Sequence, residues 1–509
     1  MFKPSKYQQD VFDFILNETG SAIVEAVAGS GKSTTIIQAL NMIPPDKTVC
    51  FLAFNKSIAT ELQKRVPEGV QCSTLNALGH RAWYKHAGRV ALNASKTRDI
   101  LRSDDFTDCY PSDEEKKLIW TVMGNVIKMV SIAKAIGIFP GVEYTTGLVP
   151  DDRDVWEHMI DHHDLQFGDI DSTINQIEEQ KGFAIGLARH VLHVSCKMAE
   201  TEIDFNDQLY LPVIYNISMF KFDYVFVDEA QDISGIQRSL IGMSLKKGGR
   251  LIAVADKNQA IYGFRGADSK SVDNMKKLFN AKSLPLSISY RCPKSVVAEA
   301  KKYVSHIEHH DASPEGSVSS LGDYKTDMFK PDDMVICRNT APLIKLAYKL
   351  ISANVQVHIM GKDLGAGIIS LIKALRARSL THLSEKLEKW KQQEIYRLTA
   401  RQPGTDISRV MDKCEMVNCF ISCSGATSVS ELIQAVERLF DNHGMGVVLA
   451  TVHKAKGLEA DNVFILDSWL MPSKFAKAEW QQEQEKNITY VAITRSKKKL
   501  NYITTPTEK

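Results

Sequence analysis

Ala26-Val27-Ala28-Gly29-Ser30-Gly31-Lys32-Ser33-Thr34 stands between the apolar run Ser21-Ala22-Ile23-Val24-Glu25 and the segment Thr35-Ile36-Ile37-Gln38-Ala39-Leu40. That order predicts a strand, a tight turn and the first turns of a helix. Such a turn sets the successive backbone N–H groups of Ala28, Gly29, Ser30, Gly31, Lys32, Ser33 and Thr34 around a phosphate at a helix N-terminus. Lys32 would reach the outer phosphates, and the Ser33 hydroxyl would be open to Mg²⁺. The strict pattern wants glycine at position 26 and the chain has alanine. A surface turn with the same letters is the bland alternative, and the flanking strand and helix argue against it.

Outward from this stretch, 509 residues are too many for one ordinary core and predict several domains or subdomains. Hydrophobic content of 44% and charged content of 24% are those of a globular protein. The formal net charge of +2 gives no global field to draw in a polyanion, so any nucleic-acid contact must come from a local groove. Nine scattered cysteines without a Cys-x-x-Cys pair point to a reducing compartment. Cys414, Cys419 and Cys423 are read as thiols on a helix, not as metal ligands. The N-terminus lacks an apolar signal core and no stretch approaches a membrane span, so the expectation is an intracellular, cytoplasmic chain without a membrane partner.

Strands alternating with helices predict a parallel α/β sheet. A first α/β unit is expected over 1–87 and 197–282, with strands at Thr48–Phe54, Tyr224–Glu229 and Arg250–Asp256 and a helix near Lys56–Val66. Polar, helical segments with acidic clusters predict an inserted subdomain over 88–196. A second α/β unit is expected over 283–364 and 443–509, with strands around Ser283–Leu286, Met334–Cys337, Val355–Ile359, Val447–Thr451 and Val463–Leu466. A second helical insertion is expected over 365–442.

A phosphate loop needs an acidic partner at the end of another strand. Val225-Phe226-Val227-Asp228-Glu229-Ala230-Gln231-Asp232 supplies one: Asp228 would anchor the metal, and Glu229 would orient and deprotonate the attacking water. Paired acids at a strand end can also be helix caps. Adjacent carboxylates favour hydrolysis over transfer to a small acceptor, which weakens a phosphate-loop kinase.

Asp-Glu-Ala-Gln-Asp, together with Ala28 to Ser33, resembles the signature of superfamily 1 DNA helicases of the UvrD/Rep/PcrA type. Further matches follow in order at Ala255–Ala267, Leu286–Cys292, Leu449–Glu459 and Asn487–Lys497, and upstream Ile203-Asp204-Phe205-Asn206-Asp207-Gln208-Leu209 matches another family segment with one residue changed. The resemblance implies two RecA-like parallel-sheet domains, each with a mostly helical insertion, ATP in a cleft and single-stranded DNA across their tops. It assigns Arg291 and Arg495 as arginine fingers and Gln259 as the γ-phosphate sensor. Tyr290 would stack on the base, Gln8 would bond the adenine edge and Glu459 would take the ribose. For the strand it implies Phe54, Asn55, Lys56 and Thr74 in the first unit, then Tyr262, Phe264, Thr451 and His453.

The chain departs from the family at Asn76, where many relatives have histidine, at Ser289, where asparagine is usual, and at Asn55-Lys56-Ser57. The second insertion is short. The resulting expectation is an ATP- and Mg²⁺-dependent helicase or translocase moving 3′ to 5′ on single-stranded DNA and at single-strand/duplex junctions, nucleoid-associated or virus-encoded. The alternative is a nucleotide-gated subunit of a repair, replication or anti-phage complex that needs a protein partner.

Overall fold

The computed structural model describes residues 3–53, 56–140, 149–163, 165, 167–168, 172–261, 270–401, 407–441, 446–476 and 479–506. Strands β1 (Ala22–Ala26), β2 (Val49–Ala53), β3 (Val70–Thr74), β4 (Phe222–Val227), β5 (Leu245–Ala255) and β6 (Lys282–Leu286) form one sheet in the order β3-β2-β4-β5-β1-β6. Every pairing in it is parallel. The buried stretches of the central strands, Ala22–Val24, Val49–Ala53, Val225–Val227 and Leu251–Ala255, are apolar because both faces are covered. Ile23, Leu52, Val225 and Ala253 join one core with the helical insertion. Ala22, Val24, Phe51 and Ile252 join a second core, with Phe12 and Phe14 of the helix Lys6–Asn17. The alternation follows from the two-residue period of a strand.

A second six-stranded parallel sheet is built from β7 (Ser317–Asp323), β8 (Met334–Cys337), β9 (Val357–Ile359), β10 (Val447–Thr451), β11 (Ala460–Leu466) and β12 (Ser496–Thr504), in the order β7-β12-β11-β8-β10-β9. The fold is thus the expected pair of RecA-like parallel sheets. Packing divides the chain into two units. The first holds most of the chain up to Leu286. The second runs from Ser287 and takes in two short turns, Val27–Ser30 and Asn258–Ile261.

One expectation is corrected. Ser283–Leu286 does not open the second unit: β6 pairs with β1, Ala22 opposite Lys282 through Ala26 opposite Leu286, and is an edge strand of the first sheet. A short apolar run declares a strand but not its neighbour, because register is a long-range choice.

Between β3 and β4 the chain runs through helices that include Leu75–Ala87, Lys96–Arg102, Asp113–Ile136, Ile174–Lys197 and Asp207–Ile214. Asp113–Ile136 is long and apolar enough to cross a membrane by composition alone. Its stripe Ile119, Val122, Val126, Met129, Val130 and Ala133 is, however, buried in the first unit's core. Lys134 on this helix donates to Asp204 Oδ2 and the Ser195 hydroxyl at 2.7 and 2.9 Å and lies 2.7 Å from Asp207 Oδ1. Lys96 donates to Asp207 and to the Ser195 carbonyl at 2.8 and 2.7 Å. The backbone N–H groups of Asp204 and Asp207 close the box, each donating to the other residue's carboxylate. The motif Ile203–Leu209 thus fastens the insertion to the rest of the unit.

In the second unit the helices Lys362–Ala374, Leu380–Arg401, Ser408–Cys423 and Val429–Asp441 lie between β9 and β10. Leu432, Val436, Leu439 and Phe440 show the spacing that buries one face of the last. Cys414 and Cys419 are buried on Ser408–Cys423, and burial pushes their thiols up to about 12 and about 11.

Candidate functional site

The turn after β1 needs glycine at two places. Gly31, at the N-cap of the helix Lys32–Leu40, has φ 76° and Gly29 has φ 70°, left-handed values that glycine adopts freely. A Cβ on Gly29 would also stand 2.5 Å from the Arg291 Cβ. The Ser30 hydroxyl is fully buried with no hydrogen-bond partner among the described residues. Such an orphaned group fits a turn that closes on a polar ligand. Ser33 and Thr34 are half-buried on the first turn of the helix. Gln8 caps its own helix by accepting the Ser5 N–H, and its amide donates to Thr35 Oγ1 at 2.9 Å, so the expected adenine-reading side chain is braced against the phosphate-loop helix.

In the first unit the C-terminal ends of β1, β4 and β5 are adjacent, which is where open parallel sheets bind ligands. Lys32 Nζ lies 2.9 Å from Glu229 Oε1. Burial works against the charged ammonium, but Glu229, Asp228 and Asp256 outweigh it and hold the Lys32 pKa above its ordinary value. Burial and the neighbouring Glu229 charge push the Asp228 carboxyl up to about 6, against the pull of Lys32 and of the Glu229 N–H donated to it. Glu229 has φ 50°, a conformation of the kind that concentrates at functional sites when a non-glycine residue holds it. Gln231 donates its amide to the other Glu229 oxygen and accepts the Asp256 N–H at 3.0 Å. Asp256 and Gln231 are members of the site to which the sequence reading gave no role.

One lysine facing three carboxylates leaves an excess of negative charge that suits a divalent cation. Among the described residues no group of three or more His, Cys, Asp or Glu could hold a metal ion by itself. Mg²⁺ does not require one, since it typically takes one or two carboxylates and completes its shell with phosphate oxygens and water. Asp228 and Ser33 therefore fit that role.

The second unit gathers the other residues expected at the nucleotide. Tyr290 N–H donates to the Gly29 carbonyl at 2.8 Å, and its ring, 41% exposed, lies 5.1 Å from that of His310. Arg291 and Glu459, assigned separate roles by resemblance, form an ion pair at 2.6 Å. Arg495 is fully buried; it donates to the carbonyls of Val491 and Leu458, to Thr494 Oγ1 and, at 3.4 Å, to Gln259 Oε1. Tyr490, also buried, accepts the Ala28 N–H on its hydroxyl at 2.9 Å. No local signal could have found that contact, because 462 residues separate the partners.

The strand-contact candidates are more dispersed. Phe54, Asn55, Tyr262 and Phe264 lie outside the described residues. Lys56 is exposed at the start of the helix Lys56–Gln63, and Thr74 accepts the Ala77 N–H as the N-cap of Leu75–Ala87. Asn76 donates to the Phe205 carbonyl and to Gln208, and Ser289 accepts the Cys292 N–H. These bonds give both departures from the family pattern a structural use. Thr451 is buried at the end of β10 and His453 is half-buried in the turn that follows.

Comparison with known proteins follows the same residues. The family model described as UvrD/REP helicase N-terminal domain matches residues 8–280, and the UvrD-like helicase C-terminal domain matches 368–507. The F-box DNA helicase protein 1 of Schizosaccharomyces pombe is 24% identical over 525 residues, covering 97% of this chain and 56% of that protein. The F-box DNA helicase 1 of Gallus gallus is 22% identical, over 96% of this chain and 48% of its own length. The ATP-dependent DNA helicase PcrA of Staphylococcus aureus is 23% identical over 313 residues, 58% of this chain and 39% of that one. The chain spans about half the length of the two F-box relatives.

Proposed function

The chain belongs to the UvrD/Rep helicase family, and from that premise we propose that it is an ATP-dependent DNA helicase or translocase working on single-stranded DNA and at single-strand/duplex junctions. The observation that carries the reading is Lys32 set against Asp228, Glu229 and Asp256 at the ends of neighbouring parallel strands. The proposed direction, 3′ to 5′, and the proposed setting, the compartment that holds the DNA, follow the family.

In the proposed cycle the ATP phosphates replace Glu229 as the partner of Lys32. Glu229, exchanged for phosphate at Lys32, would then hold the attacking water and accept its proton, while the Gln231 amide keeps the carboxylate aimed. Mg²⁺, when bound by Asp228 and Ser33, would neutralise charge on the phosphate oxygens. Arg291 and Arg495 would supply positive charge to the transferring phosphoryl group. Gln259, bonded to Arg495, would pass on whether that group is present.

The test compares ATP hydrolysis with and without single-stranded DNA for the wild type and Lys32→Ala. The wild type should be stimulated by DNA, and the variant should lose about 10²–10³-fold in kcat. A wild-type rate indifferent to DNA would sink the motor reading, and a fully active variant would sink the site.

A further inference from the structure

Asp467 ends β11 in a left-handed conformation, φ 51°. Its buried carboxylate accepts the Thr505 N–H at 2.8 Å and the Thr505 hydroxyl at 2.6 Å, and its own N–H donates to the Ile503 carbonyl of β12. The single turn Ser468–Leu470 follows, closed by the Leu470 N–H on the Asp467 carbonyl. Beyond it, the Ser473 N–H donates to Glu485 of the helix Glu479–Ile493, a carboxylate that also takes three bonds from the Arg338 guanidinium. The turn is therefore tied down at both ends. Yet the side chain it carries, Trp469, is 71% exposed, the barest of the six tryptophans. Indole rings usually contribute large buried areas to a core, so an anchored turn that holds one in water calls for a flat partner.

Its location says which. Leu466, at the end of β11, is in register with Cys337 of β8, which is in register with Thr451 of β10. Two strand spacings, about 10 Å, thus separate the strand end that leads into the Trp469 turn from the one that leads into the His453 turn. Lys454 follows His453, and the exposed Lys474 lies on Trp469's own loop. An exposed aromatic face with an exposed lysine, Lys474, on the same loop at the C-terminal edge of a parallel sheet is the equipment of a sequence-tolerant single-strand site, where bases stack and phosphates meet cations. Thr451 is buried and His453 offers only part of its ring, so these two do not provide such a face.

We propose that Trp469 is a base-stacking residue of the second unit, holding one nucleotide of a single DNA strand against the C-terminal edge of β11. The proposal rests on the motor reading above, and the experiment separates the two. An oligothymidylate of about 16 nucleotides is titrated into the wild type, Trp469→Ala, Trp469→Phe and the control Trp120→Phe, following tryptophan emission and the anisotropy of a labelled oligomer. Because the side chain is exposed, both Trp469 variants should melt at the wild-type temperature. Trp469→Ala should bind about tenfold or more weakly. Trp469→Phe should recover most of the affinity while losing the quenching of emission that the wild type and the Trp120 variant show. Equal binding by wild type and Trp469→Ala, or undiminished quenching in Trp469→Phe, overturns the proposal. No binding by any protein overturns the motor reading itself.

Discussion

Lys134 and Lys32 are both buried ammonium groups of the first unit held by carboxylates, and they sit in opposite kinds of box. Around Lys134, two lysines meet two aspartates, Lys96 and Lys134 against Asp204 and Asp207, with side chains 0% to 10% exposed. Ser195 and two backbone N–H groups supply further bonds. Burial opposes the ionised form of Asp207, but Lys134 and Lys96 outweigh it and hold its pKa below the usual carboxylate value. Around Lys32, one lysine meets three carboxylates, Lys32 is 14% and Glu229 30% exposed, and Asp228 is pushed up to about 6. A balanced, closed cluster fastens two pieces of chain together. An unbalanced, partly open one is ready to exchange a partner for a ligand.

The comparison breaks most visibly at Glu229. Glu229→Gln should keep nucleotide affinity but lower the single-turnover hydrolysis rate by about 10²–10⁴-fold; a wild-type rate would mean that the open cluster is only another clasp. Next comes Asp207→Ala, which leaves two buried ammonium groups sharing Asp204. It should cost about 3–5 kcal/mol, read as a lower urea midpoint for the first unit. Replacing the ion pair as a whole, Lys96→Met with Asp207→Leu, should cost less than Asp207→Ala alone, and the reverse ranking would contradict a purely fastening role.

The smallest effect concerns a buried carboxylate of the second unit. Asp412 accepts the Thr340 N–H at 3.0 Å and is pushed up to about 6, chiefly by burial. Arg338 pulls it down only in part, being engaged by Glu485. With the folded pKa above the unfolded one, the stability Asp412 contributes is full below about pH 4 and lost as pH rises through about 6. Asp412→Asn should flatten that slope and gain on the order of 1–2 kcal/mol at pH 8, measured by denaturation at pH 4, 6 and 8.

Much of the site was legible because its parts are local. Strand, glycine turn and helix at Ala22–Leu40 are neighbours in the chain, and Asp228-Glu229 ends an unbroken apolar run, so periodicity and letter order suffice. Gln231 was in plain view but had no assignable role until the bend at Glu229 aimed its amide at the carboxylate. Asp256 reads as a strand end like any other. Ile203–Leu209 was visible as a motif, whereas its two lysines, Lys96 and Lys134, carried no signal, since a lysine on a helix is ordinarily solvated.

By itself the sequence determined that there are two apolar, parallel sheets interrupted by helices, that a phosphate-binding turn follows the first strand, and that paired acids end another. Those follow from short-range sterics, hydrophobic period and hydrogen-bonding capacity. Only the tertiary structure decided that β6 completes the first sheet, that Arg291 is held by Glu459, that Tyr490 meets Ala28 and that Trp469 is left bare on an anchored turn. Each of these depends on which distant groups are brought together in register and which surfaces are left uncovered, and no window of neighbouring residues contains that information.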